Sequence, residues 1–444
     1  MRVLHLSLTD FRNYASAEVP LARGPNLFVG RNGQGKTNLV ESLGYLSTLG
    51  SHRVSSDQAM IRQGTDAAIV RARLESEGRE LLAEVQINRS SANRAQVNRA
   101  AIKPRELPRY FSSVLFAPED LALVRGEPSG RRRFLDQLLA ILAPRFAGVL
   151  QDYDRVLRQR NTLLKSARAS RVGADQLSTL DVWDDRLVEL GSEILVARDR
   201  LATELAPEVE RSYALVAGAD HAARLSTVSS IRGAVPSDDD EAPGPESRLA
   251  AIAPADVPQA FRDALARVRR GELDRGLTLV GPHRDDLFLE LNGLPARGYA
   301  SHGESWSFAL ALKLASAQVV RSRSTTGDPV IVLDDVFAEL DAGRRERLAD
   351  AVADFEQVLI TAAVEEDVPE RLAAHTVRIV RGTVVDAAAE AGAPVASDDP
   401  AAGDGLAGPH EPAASDDPAA GDDAGEAGAS DGADATRDSG PDPS

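Results

Sequence analysis

Eight consecutive residues, Gly30-Arg31-Asn32-Gly33-Gln34-Gly35-Lys36-Thr37, have the types and spacing that handle a nucleoside triphosphate. Glycines let successive backbone N–H groups turn toward phosphate oxygens. Lys36 is long enough to reach the β- and γ-phosphates of ATP, and the Thr37 hydroxyl is a ligand for Mg²⁺. A helix expected from residue 37 to about 45 would turn its positive end to the same phosphates. The plain alternative is an incidental glycine-rich turn. The apolar strand Asn26-Leu27-Phe28-Val29 ahead of the motif and the helix behind it favour the nucleotide. Far along the chain, Val330-Ile331-Val332-Leu333 run into Asp334-Asp335. A carboxylate at the end of a buried strand is what such a loop needs for Mg²⁺, so Asp334 is the candidate metal ligand. Asp335 is placed to orient or deprotonate the attacking water. A solvent-facing Asp pair is the plain reading of the same residues.

Two further patterns flank the acidic pair. Ser301-His302-Gly303-Glu304 opens a helix carrying Trp306, Phe308, Leu310, Leu312 and Leu314, and Ala338-Glu339-Leu340-Asp341 follows closely after Asp335. Ser301 with Glu304 three residues on is a capping box, which needs no further role. In this order, the two segments also resemble the signature helix and D-loop of ABC-type ATPases. In that class a signature Ser and Gly of one subunit contact the γ-phosphate held by the other.

The composition bounds the class. A chain of 444 residues is long enough for two or three packed units. It has no cysteine, which excludes disulfides, zinc–thiolate sites and thiol nucleophiles and suits a reducing cytosol. The seven histidines show no close metal-ligand spacing, and no apolar run approaches the ~18 residues that span a bilayer. The first residues, Met1-Arg2-Val3-Leu4-His5, lack the long apolar stretch expected of a secretory signal. A cytoplasmic protein with no membrane partner is expected. The net charge is −17, but residues 391–444 carry thirteen acidic side chains and one Arg, leaving the rest about −5. Bulk charge therefore decides nothing about nucleic acid.

The elements that must position these residues can be read from periodicity. Alternation at residues 3–8, 67–74 and 81–87, with a short run near 96–98, predicts a β-rich N-terminal part, and 114–116 a further strand. From Arg131, Leu135, Leu138, Leu139 and Leu142 fall at helical spacing, continued by Phe146, Val149, Leu150, Tyr153 and Val156, with Pro144 expected to split the run. Trp183, Leu187, Leu190, Ile194 and Leu201 mark a second helix, and Phe261, Leu265 and Val268 another. About three heptads suit a short antiparallel bundle and not a long coiled coil. Residues 330–333 and 357–360 read as buried parallel strands around a helix at 343–353, and 376–385 as a last strand. From about 386 the chain is mostly Ala, Gly, Asp, Pro and Ser, and the segment 396–404 recurs at 414–422. Such a segment cannot offset its ordering entropy and is expected to be disordered. A second polar stretch, 236–245, reads as a surface loop. The expected architecture is an α/β nucleotide-binding head split in sequence (1–130 and 276–385), a helical insertion or lid (131–275) and a disordered acidic tail (386–444).

Together these segments resemble the RecF family, recombination mediators in the SMC-like branch of ABC-type P-loop ATPases. The resemblance runs from the first residues to about 385. It is carried by Leu8-Thr9-Asp10-Phe11-Arg12-Asn13-Tyr14, Gly33-Gln34-Gly35-Lys36-Thr37-Asn38, Ser51-His52-Arg53 with Asp57, and Phe116-Ala117-Pro118-Glu119-Asp120-Leu121. Further along it is carried by Arg131-Arg132-Arg133-Phe134-Leu135-Asp136, Gly281-Pro282-His283-Arg284-Asp285-Asp286 and residues 333–341. It implies an ATP-dependent homodimer that binds gapped DNA near single-strand/double-strand junctions. Such a dimer works with RecO and RecR, supports RecA loading and the SOS response, and hydrolyses ATP slowly under DNA stimulation. It also implies that Gly30, Arg31, Asn32, Gly33, Gln34, Gly35, Lys36 and Thr37 hold ATP. Thr37 and Asp334 would serve Mg²⁺, Ser301 and Gly303 act in trans, and Asp341 line the dimer interface. Arg12 and Asn13 would lie near the base, and the protein would associate with the nucleoid. Asp335 stands where many ABC-type ATPases have Glu, which fits slow hydrolysis. The signature has Glu304 where much of the class has Gln, and Thr361 ends a strand where many place a γ-phosphate-sensing His. No switch histidine and no Q-loop glutamine is assigned.

DNA contact has two candidate patches: Arg131, Arg132, Arg133, Arg155, Arg158, Arg160 and Lys165 along the helices, and Arg89, Arg94 and Arg99 on the β-ribbon. An ordinary solvated helix face explains the first equally well. Three rival functions fit the sequence less well. A transporter ATPase subunit is too compact for the distance from Gly30 to Ser301. A long-armed SMC protein would need hundreds of heptad residues between the halves. A purely structural nucleotide clamp does not need the intact Lys36, Thr37, Asp334 and Asp335.

Overall fold

The computed structural model describes residues 1–54, 56–170, 178–219, 221–233, 252–324 and 326–385, all within one compact unit. The acidic tail from 386 and the polar stretch 236–245 lie outside the described residues.

The N-terminal part is an antiparallel sheet in the order β2-β1-β4-β5-β6-β7. Its strands are β1 (Arg2–Phe11), β2 (Tyr14–Pro20), β4 (Ala67–Ser76), β5 (Arg79–Asn88), β6 (Arg94–Val97) and β7 (Ala100–Ile102). One face is apolar: Val3, Leu6 and Leu8 of β1, Val70, Ala72 and Leu74 of β4, and Val85 and Ile87 of β5 are all buried in one cluster. Period-two alternation locks that register, because a slip of one residue would turn every one of them to solvent.

A second sheet joins the two halves of the sequence in the order β15-β14-β3-β13-β12-β8. β3 (Gly24–Val29), β8 (Ser113–Phe116), β12 (Val330–Asp334), β13 (Gln357–Ala362) and β14 (Thr376–Val380) run parallel, and β15 (Thr383–Val385) is antiparallel to β14. Every residue of β12 and β13 is buried, as strands covered on both faces must be, which explains their unbroken apolar runs. β13 lies between β3 and β12, so the strand that feeds the glycine loop and the one that ends in Asp334 are next-but-one neighbours. The single strand expected over 376–385 is instead a hairpin. Arg381 and Gly382 both have positive φ, 49° and 73°, the conformation of a two-residue turn that matches strand twist.

Helix α1 (Lys36–Thr48) leaves the glycine loop, and the short α2 (Leu121–Arg125) follows β8. The helical run divides at Pro144 into α3 (Pro128–Leu142) and α4 (Arg145–Ser170), as the ring's clash with the preceding turn requires. α5 (Ser178–Ala217) runs well beyond Leu201 and carries Pro207 in its interior. Burial of Leu205, Val209, Tyr213 and Val216 offsets the hydrogen bond that this proline removes. α6 (Val257–Arg275) completes the helical part, packing Phe261 and Leu265 against Tyr153 of α4 and Leu187 and Ile194 of α5. A three-stranded sheet, β11-β10-β9, is built from β9 (Arg224–Val228), β10 (Asp286–Leu291) and β11 (Leu294–Pro295), and a short turn, α7 (Ala296–Tyr299), leads to α8 (His302–Arg323). α8 is buried on nearly all sides, with Phe308 and Leu312 in one cluster and Trp306, Leu310 and Leu314 in another. α9 (Ala342–Val352) links β12 to β13 as a parallel crossover.

One polar group is sealed inside the helical part. Arg160 is fully buried and pairs with Asp184 at 2.7 Å and with the fully buried Glu272 at 2.6 Å, while its Nη1 donates to Thr278 at 2.8 Å. Burial alone would lower the Arg160 pKa, but its bonds to Glu272 and Asp184 outweigh that and raise it. Arg160→Met would strand Glu272 without its cation and is expected to cost ~3–5 kcal/mol, while adding Glu272→Leu should recover most of the loss. Thermal denaturation of the two variants against wild type measures both.

Candidate nucleotide-binding site

Residues 30–37 form a loop clasped from two sides. A Cβ at Gly30 would lie 2.3 Å from the carbonyl of Ile379 on β14, so only glycine lets this strand pass. Gly33 and Gly35 have φ of 81° and 114°, and a Cβ at Gly35 would meet the Asn13 side chain at 2.7 Å and the Tyr14 hydroxyl at 2.9 Å. On one side the Tyr14 hydroxyl donates to the Gly35 carbonyl and Asn13 Nδ2 to the Gln34 carbonyl, each at 3.1 Å. On the other, the Gly382 N–H donates to the same Gln34 carbonyl at 2.9 Å. Arg31, Asn32 and Gly33 are exposed, whereas Lys36 is buried and its Nζ donates to the Gly30 carbonyl at 2.8 Å. That bond holds the ammonium across the mouth of the loop.

The acidic strand end meets this loop through β13. Thr37 Oγ1 donates to Asp334 Oδ1 at 3.0 Å across 297 residues of sequence, and Thr361 Oγ1 donates to the same oxygen at 2.6 Å. Thr361 also accepts the Asp335 N–H at 3.0 Å. Asp335 adopts a left-handed conformation with φ 51°, a strained backbone for a residue with a Cβ, and is half-buried. Burial pushes the Asp334 carboxyl up to about 6, despite the hydrogen bonds from Thr361 and Thr37, and the neighbouring Asp335 and Glu119 add to the rise. His52 Nε2 lies 3.9 Å from the other Asp334 oxygen and has no hydrogen-bond partner. Burial lowers this imidazole to about 4, so at neutral pH it is uncharged and the contact is not an ion pair.

The remaining sequence-derived residues fall in two groups. Asn13 touches the loop, but Arg12 does not: its guanidinium makes a two-pronged pair with Glu41 of α1, at 2.6 and 2.8 Å, and donates to the Ala59 carbonyl. Burial alone would raise Glu41, but its bonds to Arg12 and Ser51 prevail and hold it below the usual carboxylate range. Ser301 and Glu304 form the capping box of α8, with Ser301 N–H to Glu304 at 2.8 Å and Glu304 N–H to Ser301 Oγ at 3.3 Å. Asp341 caps α9 by accepting the Arg344 N–H at 2.9 Å. Ser301 and Asp341 are exposed, and among the described residues their hydrogen bonds are to these neighbours and not to the loop. Of the seven cations of the helix patch, Arg131 and Arg160 turn inward, while Arg133, Arg155, Arg158 and Lys165 stay exposed. Arg131 is buried in a two-pronged pair with Asp286, both bonds at 2.7 Å, and Arg160 is buried as described. In sequence, Thr361 stands out only as a missing histidine, and neither His52 nor Tyr14 signals a role of its own. The strand order that brings Thr361 beside Asp334 has no local signature.

Oxygen donors of this kind fit a hard divalent cation. Among the described residues no three acidic or histidine side chains converge to hold a metal by themselves, so such an ion needs phosphate oxygens as well.

The family described as RecF/RecN/SMC N terminal domain matches residues 2–384. The DNA replication and repair protein RecF of Leifsonia xyli subsp. xyli is 68% identical over 388 residues, covering 87% of this chain and 100% of that protein. The chain belongs to the RecF family of SMC-like ATPases. A second RecF, from Clavibacter michiganensis subsp. michiganensis, is 65% identical over 404 residues, covering 90% of this chain and all of its own length. The solved structure of the recombination mediator protein RecF with ATP, of the RecFOR pathway, superposes on this RecF-family chain with a TM-score of 0.75 at 25% identity, covering 86% of this chain and 96% of that one. A related structure with ATPrS gives a TM-score of 0.74 at 26% identity over 86% and 97%. The α/β head with a P-loop and an SMC-like ATPase fold is thus shared along nearly the whole described length.

The raised Asp334 carboxyl makes a stability prediction. Between about pH 4 and 6 the native state keeps a proton that the unfolded chain releases, so this group's stabilisation is present below about pH 4 and lost as pH rises through about 6. In nucleotide-free protein, Asp334→Asn is therefore expected to be more stable than wild type by ~2 kcal/mol at pH 7.5, with the gap closing below about pH 4. Melting curves across this range test it.

Proposed function

We propose that this chain is an ATP-dependent, dimerising DNA replication and repair protein that acts at single-strand gaps with RecO and RecR, supporting RecA loading and the SOS response. The observation that carries the reading is the meeting of Thr37 and Asp334, which assembles one site from two distant parts of the chain. The named relatives and the ATP-bound RecF structures support it.

The residues divide the work. The loop's N–H groups and the α1 N-terminus receive the β- and γ-phosphates of ATP. Lys36 exchanges the Gly30 carbonyl for phosphate oxygens. Thr37 and Asp334 hold Mg²⁺, which, when bound, neutralises charge that develops on the phosphates. Thr361 keeps Asp334 turned toward Thr37, and Asp335 orients the attacking water from the end of β12. A short Asp in place of a longer Glu suits slow hydrolysis that times the release of a dimer. Ser301 and Gly303 meet the nucleotide of a second copy and Asp341 lines that interface, which accounts for the exposure of Ser301 and Asp341. The helical part, residues 131–275, serves as a lid. Among the described residues no helix is long and apolar enough to cross a membrane, and a place in the cytoplasm beside the nucleoid follows from the function.

For DNA, the β-ribbon is the stronger candidate. Arg89, Arg94 and Arg99 are exposed on β5–β7 and its turns, whereas in the helical patch Arg131 and Arg160 are buried in ion pairs and Arg155 pairs with Asp152. Charge reversal of the three ribbon arginines is expected to weaken DNA binding more than tenfold at low salt without changing ATP affinity. Equal DNA affinity in an electrophoretic shift assay would remove the patch.

The central test is ATP hydrolysis with and without gapped DNA, with sedimentation in ATP, on wild type and Lys36→Met. Slow, DNA-stimulated turnover and an ATP-dependent dimer, both lost in the variant, are expected. Turnover indifferent to DNA with no dimer would leave a generic nucleotide-binding protein.

A further inference from the structure

The exposed surface around Ser301, Gly303 and Asp341 contains a cation that the motif pattern does not assign. Arg344 sits in the first turn of α9. Its backbone N–H binds Asp341 Oδ1 at 2.9 Å, and its guanidinium doubles back so that Nη1 meets Asp341 Oδ2 at 2.8 Å. This lays the guanidinium over the first turn of α8. A Cβ at Gly303 would lie 3.1 Å from both Nη1 and Nη2, so the absence of a side chain at Gly303 is what admits it. Arg344 Nε is buried and has no hydrogen-bond partner, and the side chain as a whole is one quarter exposed. The guanidinium therefore has donor capacity left over, and its exposed part lies beside Gly303 at the start of α8.

The charges around it point the same way. Glu304 and Asp341 are the acidic neighbours, and on their own they would repel a triphosphate. The Arg344–Asp341 pair is a three-residue-apart pair whose carboxylate is more than half exposed, an arrangement that contributes little in water. A phosphate sealed under a second subunit is a far better partner for a planar guanidinium, which grips two oxygens at once. We propose that Arg344 contacts the γ-phosphate of the nucleotide held by a second copy of this chain, exchanging Asp341 for phosphate as the two copies close. This rests on the ATP-bridged dimer proposed above.

The test is sedimentation in ATP of wild type, Lys36→Met, Arg344→Ala and Arg344→Lys, with nucleotide affinity and melting temperature measured on each. Absence of an ATP-dependent dimer in wild type would overturn the reading beneath the proposal. With that dimer present, Arg344→Ala is expected to bind ATP as tightly as wild type and to associate about tenfold or more weakly, as loss of a charge-assisted contact requires. Arg344→Lys, which keeps the charge without the fork, should fall between them and serves as the test if the alanine variant does not fold. Mixing Arg344→Ala with Lys36→Met chains should restore association, because one composite site then pairs an intact loop with an intact Arg344. Association of Arg344→Ala within twofold of wild type, or no restoration on mixing, would overturn the proposal.

Discussion

A single carboxylate oxygen ties the glycine loop to the acidic strand end. Asp334 Oδ1 receives one hydrogen bond from Thr37, at the start of α1, and another from Thr361, on the strand between. The contact depends on the strand order β3-β13-β12, which sets the end of one strand two places from the start of the glycine loop. Everything else in the head serves that alignment. The parallel strands bury both faces, and α1 and α9 cover them with apolar side chains.

The same alignment has an electrostatic cost. Asp334 is almost wholly buried, beside Asp335 and with Glu119 near, so its ionised form is disfavoured until a cation arrives. Two threonine hydroxyls soften the penalty without removing it. Lys36, held by the Gly30 carbonyl, is the nearby positive group of the loop, and neutral His52 closes the other side. Rigidity comes from outside the loop, from Tyr14 and Asn13 on one hairpin and Gly382 on another. Each makes backbone contacts that fix the loop while leaving its outward residues free for phosphate.

The rest of the fold sets the first turn of α8 apart from the glycine loop. α8 is surrounded by core on nearly all sides, yet its first turn, with Ser301 and His302, is exposed. α5 packs along α8 and ends beside α9, where Arg347 donates to the carbonyls of Val216 and Ala217. The helical part is therefore tied both to α8 and to the helix that follows Asp341. Its own interior is pinned by Arg160 and its two acids, a group costly to break and unable to contact a ligand.

Several features were determined by the sequence alone. The glycine loop is a contiguous pattern whose backbone demands are local, buried parallel strands must be continuous apolar runs, and Pro144 cannot continue a helix. Local patterns of this kind mark the loop, Asp334, the split head and the helical insertion along the chain itself. The fate of charged and polar side chains was decided only in three dimensions. Arg12, Arg131 and Arg160 look like exposed cations in sequence, yet each finds a buried or half-buried carboxylate 29, 155 or 112 residues away. Thr361 acquires its role only because β13 is inserted between β3 and β12, and residues 376–385 fold back at Arg381-Gly382 to hold the loop. Periodicity reports which face of an element is apolar. It carries no information on which distant partner will desolvate and neutralise a charge, because that depends on strand order and packing.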